Sequence, residues 1–199
     1  MRTQPIAPAT GPTGPQTPPS SPIDRLRPLI RTRQVRAFID QPLTDAEMDA
    51  IAEVARWTGS SQNSQPWRFI AIREVETLRA IADAGLPNTR GLLTATAAIA
   101  VTLPDDARRA LLMAYDDGRV SERILDAASL LGLGAGINWV RPDVREAVRS
   151  ILGYPQDWLV RTIVALGHPT EEARRFTAAP GTARLPREDV MFTERWPAD

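Results

Sequence analysis

Apolar positions recur along the chain with two different spacings, and the change of spacing marks where helices give way to strands. Met48, Ile51, Ala52 and Ala55 fall on one helical face, and Thr44 followed by Glu47 three positions later forms a capping box ahead of them. This predicts a helix that starts at Thr44 and stops by Gly59. The run from Trp67 to Arg73 (WRFIAIR) has the length and residue types of a strand. Beyond it, Val75 to Ala84 reads as a short helix and Leu92 to Leu103 as a buried strand. Asp116 to Gly132 is a helical stretch with Val120, Ile124, Ala127, Ala128 and Leu131 on its inner side, closed by a glycine-rich turn. Pro142 and Asp143 open a helix that Gly153 stops, and Val160 to Leu166 is an apolar, β-branched strand. Near the start, Leu26, Leu29 and Ile30 give a short helix beginning about Asp24 one apolar stripe.

Helices and strands interleave without a regular βαβ rhythm, which predicts an α+β domain rather than a doubly wound sheet. A length of 199 residues suits one domain. Residues 1–22 are rich in Pro, Thr, Gly, Ser and Gln and predict a disordered tail; residues 23–176 carry the domain, and 177–199 form an arm laid over a surface. The first segment lacks the apolar run of a signal peptide, and no stretch reaches the roughly 18 apolar residues of a membrane span. The expectation is a protein of the cytoplasm without a membrane partner.

Composition narrows the chemistry. The 24 basic residues balance 24 acidic ones, so no overall field draws the protein to nucleic acid. There is no Cys, which removes thiol nucleophiles and thiolate metal sites, and every basic residue is Arg, which removes a Schiff-base lysine. A compositional bias toward Arg, Ala and Pro accounts for the missing Lys equally well. With His168 the only histidine, neither a serine triad with a spare base nor a two-histidine metal site can be assembled. By elimination, an enzyme built from these residues relies on an organic cofactor.

Four segments are candidates for holding one, and each also has a plain structural reading. In TRQVRAF, Arg33 and Arg36 face one way if the segment is helical or turn-like, which suits a phosphate or a polar carbonyl; two nearby arginines are also a common solvated surface. In GSSQNSQPW, Ser60, Asn63 and Gln65 bring donors and acceptors into one loop, as a solvated turn would. GLGAG (Gly132 to Gly136) follows a helix instead of opening one, so it fits a helix cap or a close approach of backbone to a flat ligand better than a dinucleotide fingerprint. Arg184 and Arg187 in the arm offer late positive charge. The paired acids Asp116 and Asp117 stand at an apparent helix start, where the dipole favours negative charge, and are assigned no chemistry.

In this order TRQVRAF, QPLTDAEMDAIAEVARWTGSSQNSQPWRFIAI, YDDGRVSERILDAASLLGLGAGINW and ILGYPQDWLVRTIVALGHP resemble the FMN-dependent nitroreductase family from about Ile30 to Pro169. The resemblance implies a central, mostly antiparallel sheet flanked by helices, an interlocked homodimer, and FMN in each of two sites at the subunit interface. It further implies an oxidoreductase in which NADH or NADPH reduces the flavin and a small oxidised molecule, nitroaromatic or quinone-like, then takes the reducing equivalents in ping-pong order. Arg33, Gln34 and Arg36 fall on the motif R-R-S-x-R-x-F; Ser60, Asn63 and Gln65 on P-S-x-x-N-x-Q-P-W; Gly134, Ala135 and Gly136 on the stretch near the ring; Arg184 and Arg187 on the late basic residues. Thr32, Gln34 and Gly59 depart from these motifs, standing for Arg, Ser and Pro. Two alternatives remain open: a module that binds a flavin or another planar ligand without turnover, and a different flavin reaction such as reductive dehalogenation or flavin breakdown.

Overall fold

A computed structural model describes residues 21–87, 89–175 and 184–197. Helix α1 (Pro22–Arg31) begins at an N-cap serine, Ser21, whose hydroxyl accepts the Asp24 N–H, and ends at Thr32, whose N–H returns to the Leu29 carbonyl. Helix α2 (Asp45–Arg56) carries the full capping box: the Thr44 N–H donates to Glu47 Oε2 at 2.8 Å and the Glu47 N–H to Thr44 Oγ1 at 3.2 Å. Strand β1 (Arg68–Ile72), helix α3 (Val75–Asp83) and short helix α4 (Arg90–Thr94) follow. Strand β2 (Ala97–Pro104), helix α5 (Ala110–Leu130), strand β3 (Gly134–Trp139), helix α6 (Arg145–Leu152) and strand β4 (Trp158–Gly167) complete the domain. Short helices α7 (Glu171–Arg174) and α8 (Arg187–Val190) come last.

The four strands form one sheet in the order β1-β2-β4-β3, every neighbouring pair antiparallel. Strand pleating sends alternate residues of β2 to opposite faces. Ile99, Val101 and Leu103 pack with Met48 and Ile51 of α2 and Val120 and Ile124 of α5. Ala98 and Ala100 pack with Leu78 and Ile81 of α3 and Val148 of α6. The sheet is thus covered on both faces, and its wholly antiparallel pairing makes the fold α+β rather than doubly wound.

Three expectations are corrected. The stretch from Leu92 to Leu103 is not one strand, because Leu92 lies in α4 and pairing starts at Ala97. Helix α5 starts at Ala110, so Asp116 and Asp117 lie well inside it rather than at its dipolar end, and Leu131 is 45% exposed instead of inward. The glycine run does not merely close a helix. Gly132, with φ 75°, makes the turn, while Gly134 to Gly136 open strand β3, paired with β4 through Gly134↔Gly167 and Gly136↔Ala165. Weak strand propensity of glycine hid this strand, which pairing with β4 and cover from Val35 and Phe38 sustain. Most of the expected tail lies outside the described residues, as does 176–183.

Candidate functional site

The segment after α1 crosses the start of β3. The Val35 N–H donates to the Ala135 carbonyl at 2.7 Å, and Gln34 forms a parallel bridge with Ala135. Glycine is required for this crossing: a Cβ on Gly136 would lie 2.3 Å from the Val35 carbonyl oxygen, and one on Gly134 would lie 2.7 Å from Val35 Cγ1. Phe38 covers Gly167 in the same way, at 2.8 Å from where its Cβ would be. Gly134, Ala135 and Gly136 are therefore buried under this chain's own segment. Their close approach is to backbone, and they reach a ligand only through what lies on top of them.

The motif side chains are deployed differently. Arg33 donates to the Ala173 carbonyl and, with Arg31 and Arg174, lines a cleft of about 210 Å³ floored by Leu125, Leu133 and Ala135. Gln34 is exposed, and its Oε1 accepts the Ile137 N–H at 2.7 Å. Arg36 is exposed next to Gly136, its Cγ 3.7 Å from where a Cβ on that glycine would stand. Thr32, in place of the motif's first arginine, closes α1.

The polar loop lies elsewhere. Ser61–Asn63 make one turn of 3₁₀ helix, and Gln62, Asn63 and Gln65 have φ of 52°, 52° and 44°. Three left-handed non-glycine residues within four positions is uncommon, and such positions persist only where the surroundings enforce them. Here Ser60 Oγ accepts the Gln65 N–H at 2.8 Å, Pro66 and Trp67 are buried behind the loop, and the Ser61 N–H donates to Asp116 Oδ1 at 3.4 Å. The side chains of Asn63 and Gln65 are left exposed.

Two clusters result, not one. The loop precedes β1, while Arg33–Arg36 overlie β3, at the opposite edge of the sheet, about 14 Å away across three strand spacings. Along α5 the loop touches Asp116 and the arginine cleft touches Leu125 and Ser129, about 14 to 20 Å apart at the rise of an α-helix. Arg184 and Arg187 are exposed in the segment that ends the described chain, Arg187 opening α8.

Sequence reasoning missed the two buried acids of α5. Asp116 is 1% exposed, with Arg119 Nη1 3.6 Å from its Oδ1. Asp117 faces the sheet: Thr162 Oγ1 donates to its Oδ2 at 2.7 Å, and burial pushes its carboxyl up to about 6 despite that bond and nearby Arg161. Both are in phase with buried Val120 and Ile124, so the helical stripe itself carried the signal.

An antiparallel sheet sandwiched by helices, with a glycine-crossed edge strand and a separate strained polar loop, defines an α+β protein. Residues 29–89 match the Nitroreductase family. The chain is 31% identical over 185 residues to an oxygen-insensitive NADPH nitroreductase of Salmonella typhimurium, covering 84% of this chain and 72% of that one. It is 24% identical over 202 residues to an NADH dehydrogenase of Thermus thermophilus, covering 85% and 96%. An FMN-dependent nitroreductase of Clostridium difficile has the same fold, with TM-score 0.71, 22% identity and coverage of 84% and 98%. The chain belongs to the nitroreductase family.

Proposed function

We propose that this protein is an FMN-dependent NAD(P)H oxidoreductase whose two cofactor sites each combine residues of two identical subunits. The observation behind this reading is the separation of the motif residues into two patches at opposite sheet edges. The arginine cleft of about 210 Å³ shares Arg31 and Ser129 with a neighbouring hollow of about 390 Å³, and both open to solvent, so a ring and its phosphate chain held there would be covered on one side only without a second wall. The partner's polar loop supplies that wall in this reading. Apolar surface is available to bring it there: Ile23, Leu26, Leu29 and Ile30 of α1 are 47 to 63% exposed, and Leu111, Tyr115 and Leu130 of α5 are 61 to 72% exposed.

The donor set fits such a cofactor. Arg31, Arg33 and Arg174 line a cleft suited to a phosphate, and Asn63 and Gln65 offer both donors and acceptors to a ring edge. Arg36, exposed beside β3, would offer positive charge to a ring bound there. FMN, when bound, supplies hydride chemistry that no side chain here offers, taking reducing equivalents from NADH or NADPH for delivery to an oxidised small molecule. The protein's part is to hold, orient and polarise. Nitroaromatic and quinone-like acceptors and ping-pong order belong to this proposal. So do a cytoplasmic location, with which the Cys-free sequence is compatible, and the arm from Arg184 onward lying on the partner subunit. No described helix is long and apolar enough to cross a membrane.

Purified protein is expected to be yellow, or to become so with added FMN, and NADH or NADPH is expected to bleach the flavin absorbance without oxygen. Colourless protein that cannot be reconstituted overturns the reading. Engagement of Thr32 in the helix end and of Gln34 with Ile137 leaves room for one alternative, a flavin-binding module without turnover. Tight FMN left oxidised by both nicotinamides would select it.

A further inference from the structure

Among the described residues, one carboxylate outside the motifs reaches into the polar loop. Asp116 projects from α5, is 1% exposed, and its Oδ1 accepts the Ser61 N–H at 3.4 Å at the first position of the 3₁₀ turn. Arg119, one turn further along α5, bears on the same oxygen from 3.6 Å. Its guanidinium also covers Gly59: Nη2 would stand 2.9 Å from a Cβ there, where the family motif has proline. The loop is thus held at Ser61 and flanked at Gly59 by one helix, immediately before the left-handed residues Gln62, Asn63 and Gln65.

We propose that Asp116 is the positioning residue of the Ser60–Gln65 loop: its buried carboxylate, aligned by Arg119, holds the backbone so that Asn63 and Gln65 face outward to the cofactor. The proposal rests on the FMN reading above for its consequence, though not for its geometry. A backbone in left-handed conformations relaxes unless something fixes its ends. The far end is fixed by Ser60 Oγ on the Gln65 N–H and by buried Pro66 and Trp67. At the near end the Ser61 N–H is held by a group from another element, so the position of the loop depends on a helix whose inner face packs in the core. Asp116 touches neither cofactor nor substrate. Its effect on binding passes through Asn63 and Gln65.

Asp116→Ala, Asp116→Asn and Ser61→Pro separate this role from general stability. Asparagine keeps an acceptor oxygen, and proline removes the donor while leaving the carboxylate intact. Proline is tolerated at the first position of a turn, and Ser60, with φ −129° and ψ 165°, already has the extended backbone it requires of its predecessor. Expected in flavin-free protein is faster hydrogen exchange of the loop amides from Asn63 to Gln65 in D116A and S61P, with D116N close to wild type. Expected on titration with FMN is a Kd on the order of tenfold weaker for D116A and S61P, equivalent to about 1.4 kcal/mol, and within about threefold of wild type for D116N. D116A or S61P that exchanges and binds FMN as wild type does, or D116N that loses as much as D116A, overturns the proposal. If D116A does not fold, S61P and D116N decide alone. Wild-type protein that binds no FMN refutes the functional reading instead, and the exchange pattern still judges Asp116.

Discussion

Gln34 Oε1 accepts the Ile137 N–H at 2.7 Å, so a residue of the first motif completes the outer edge of strand β3. A sheet edge presents unpaired N–H groups, and this side chain satisfies one of them. Gln34→Ala is expected to lower stability by about 1 kcal/mol, seen as a fall in Tm of roughly 2–4 °C, with the fold retained. Unchanged thermal unfolding would show that water replaces the amide at no cost.

Gly136→Ala should be far more damaging. Its added Cβ meets the Val35 carbonyl at 2.3 Å, an atom of backbone that cannot swing aside. Either β3 or the Arg33–Phe38 segment must move, at a cost of about 3 kcal/mol or more. Chemical denaturation measures the loss. Flavin retention is expected to fall with it, since Arg33 and Arg36 ride on that segment.

Asp117 gives stability a pH dependence with a definite sign. Its carboxyl is raised to about 6 in the fold from an ordinary 3.8, so the folded state holds the proton more tightly than the unfolded chain. Its stabilising contribution is complete below about pH 4, is lost as pH rises toward 6, and is absent above that. The two-unit displacement sets an upper bound of about 3 kcal/mol. Asp117→Asn keeps an acceptor for Thr162 and removes the titration. Urea unfolding at pH 4 and pH 7.5 should show the variant gaining on wild type by about 1–3 kcal/mol between the two. A constant difference would exclude Asp117 as the source.

Assembly and cofactor should be lost together. Wild type is expected to sediment at twice 21.9 kDa, about 44 kDa. Leu26→Asp combined with Ile30→Asp places charge on the exposed face of α1, where folding is little disturbed. A monomer that has released FMN is the expected product, and a monomer holding FMN as tightly as wild type would contradict a shared site.

Within the loop, Asn63→Ala should weaken FMN retention, whereas Glu188→Ala, in exposed α8, should leave it nearly unchanged. Equilibrium dialysis with FMN compares the two. Equal losses would argue against the loop as a cofactor wall.

Local rules made much of this architecture legible. The Thr44–Glu47 box, the apolar stripe of α2, the strand RFIAI within the expected WRFIAIR, and the glycine stop of α6 at Gly153, with φ 69°, depend on neighbours within a few residues. The sequence also placed the motif residues in order and determined that no thiol, lysine or histidine pair could do the chemistry. Strand β3 escaped because glycine has little strand preference of its own; only pairing with β4 and the crossing of Val35 make Gly134 to Gly136 extended. The burial of Asp116 and Asp117 escaped because adjacent acids read as the dipole-favoured start of a helix, until the helix is seen to begin at Ala110 and a loop and a strand to close over them. Most of all, spacing along the chain says nothing of distance across a sheet. Tertiary structure alone put the polar loop and the arginine segment at opposite edges, because strand order follows from packing both faces of β2 and β4 and not from the order of the sequence.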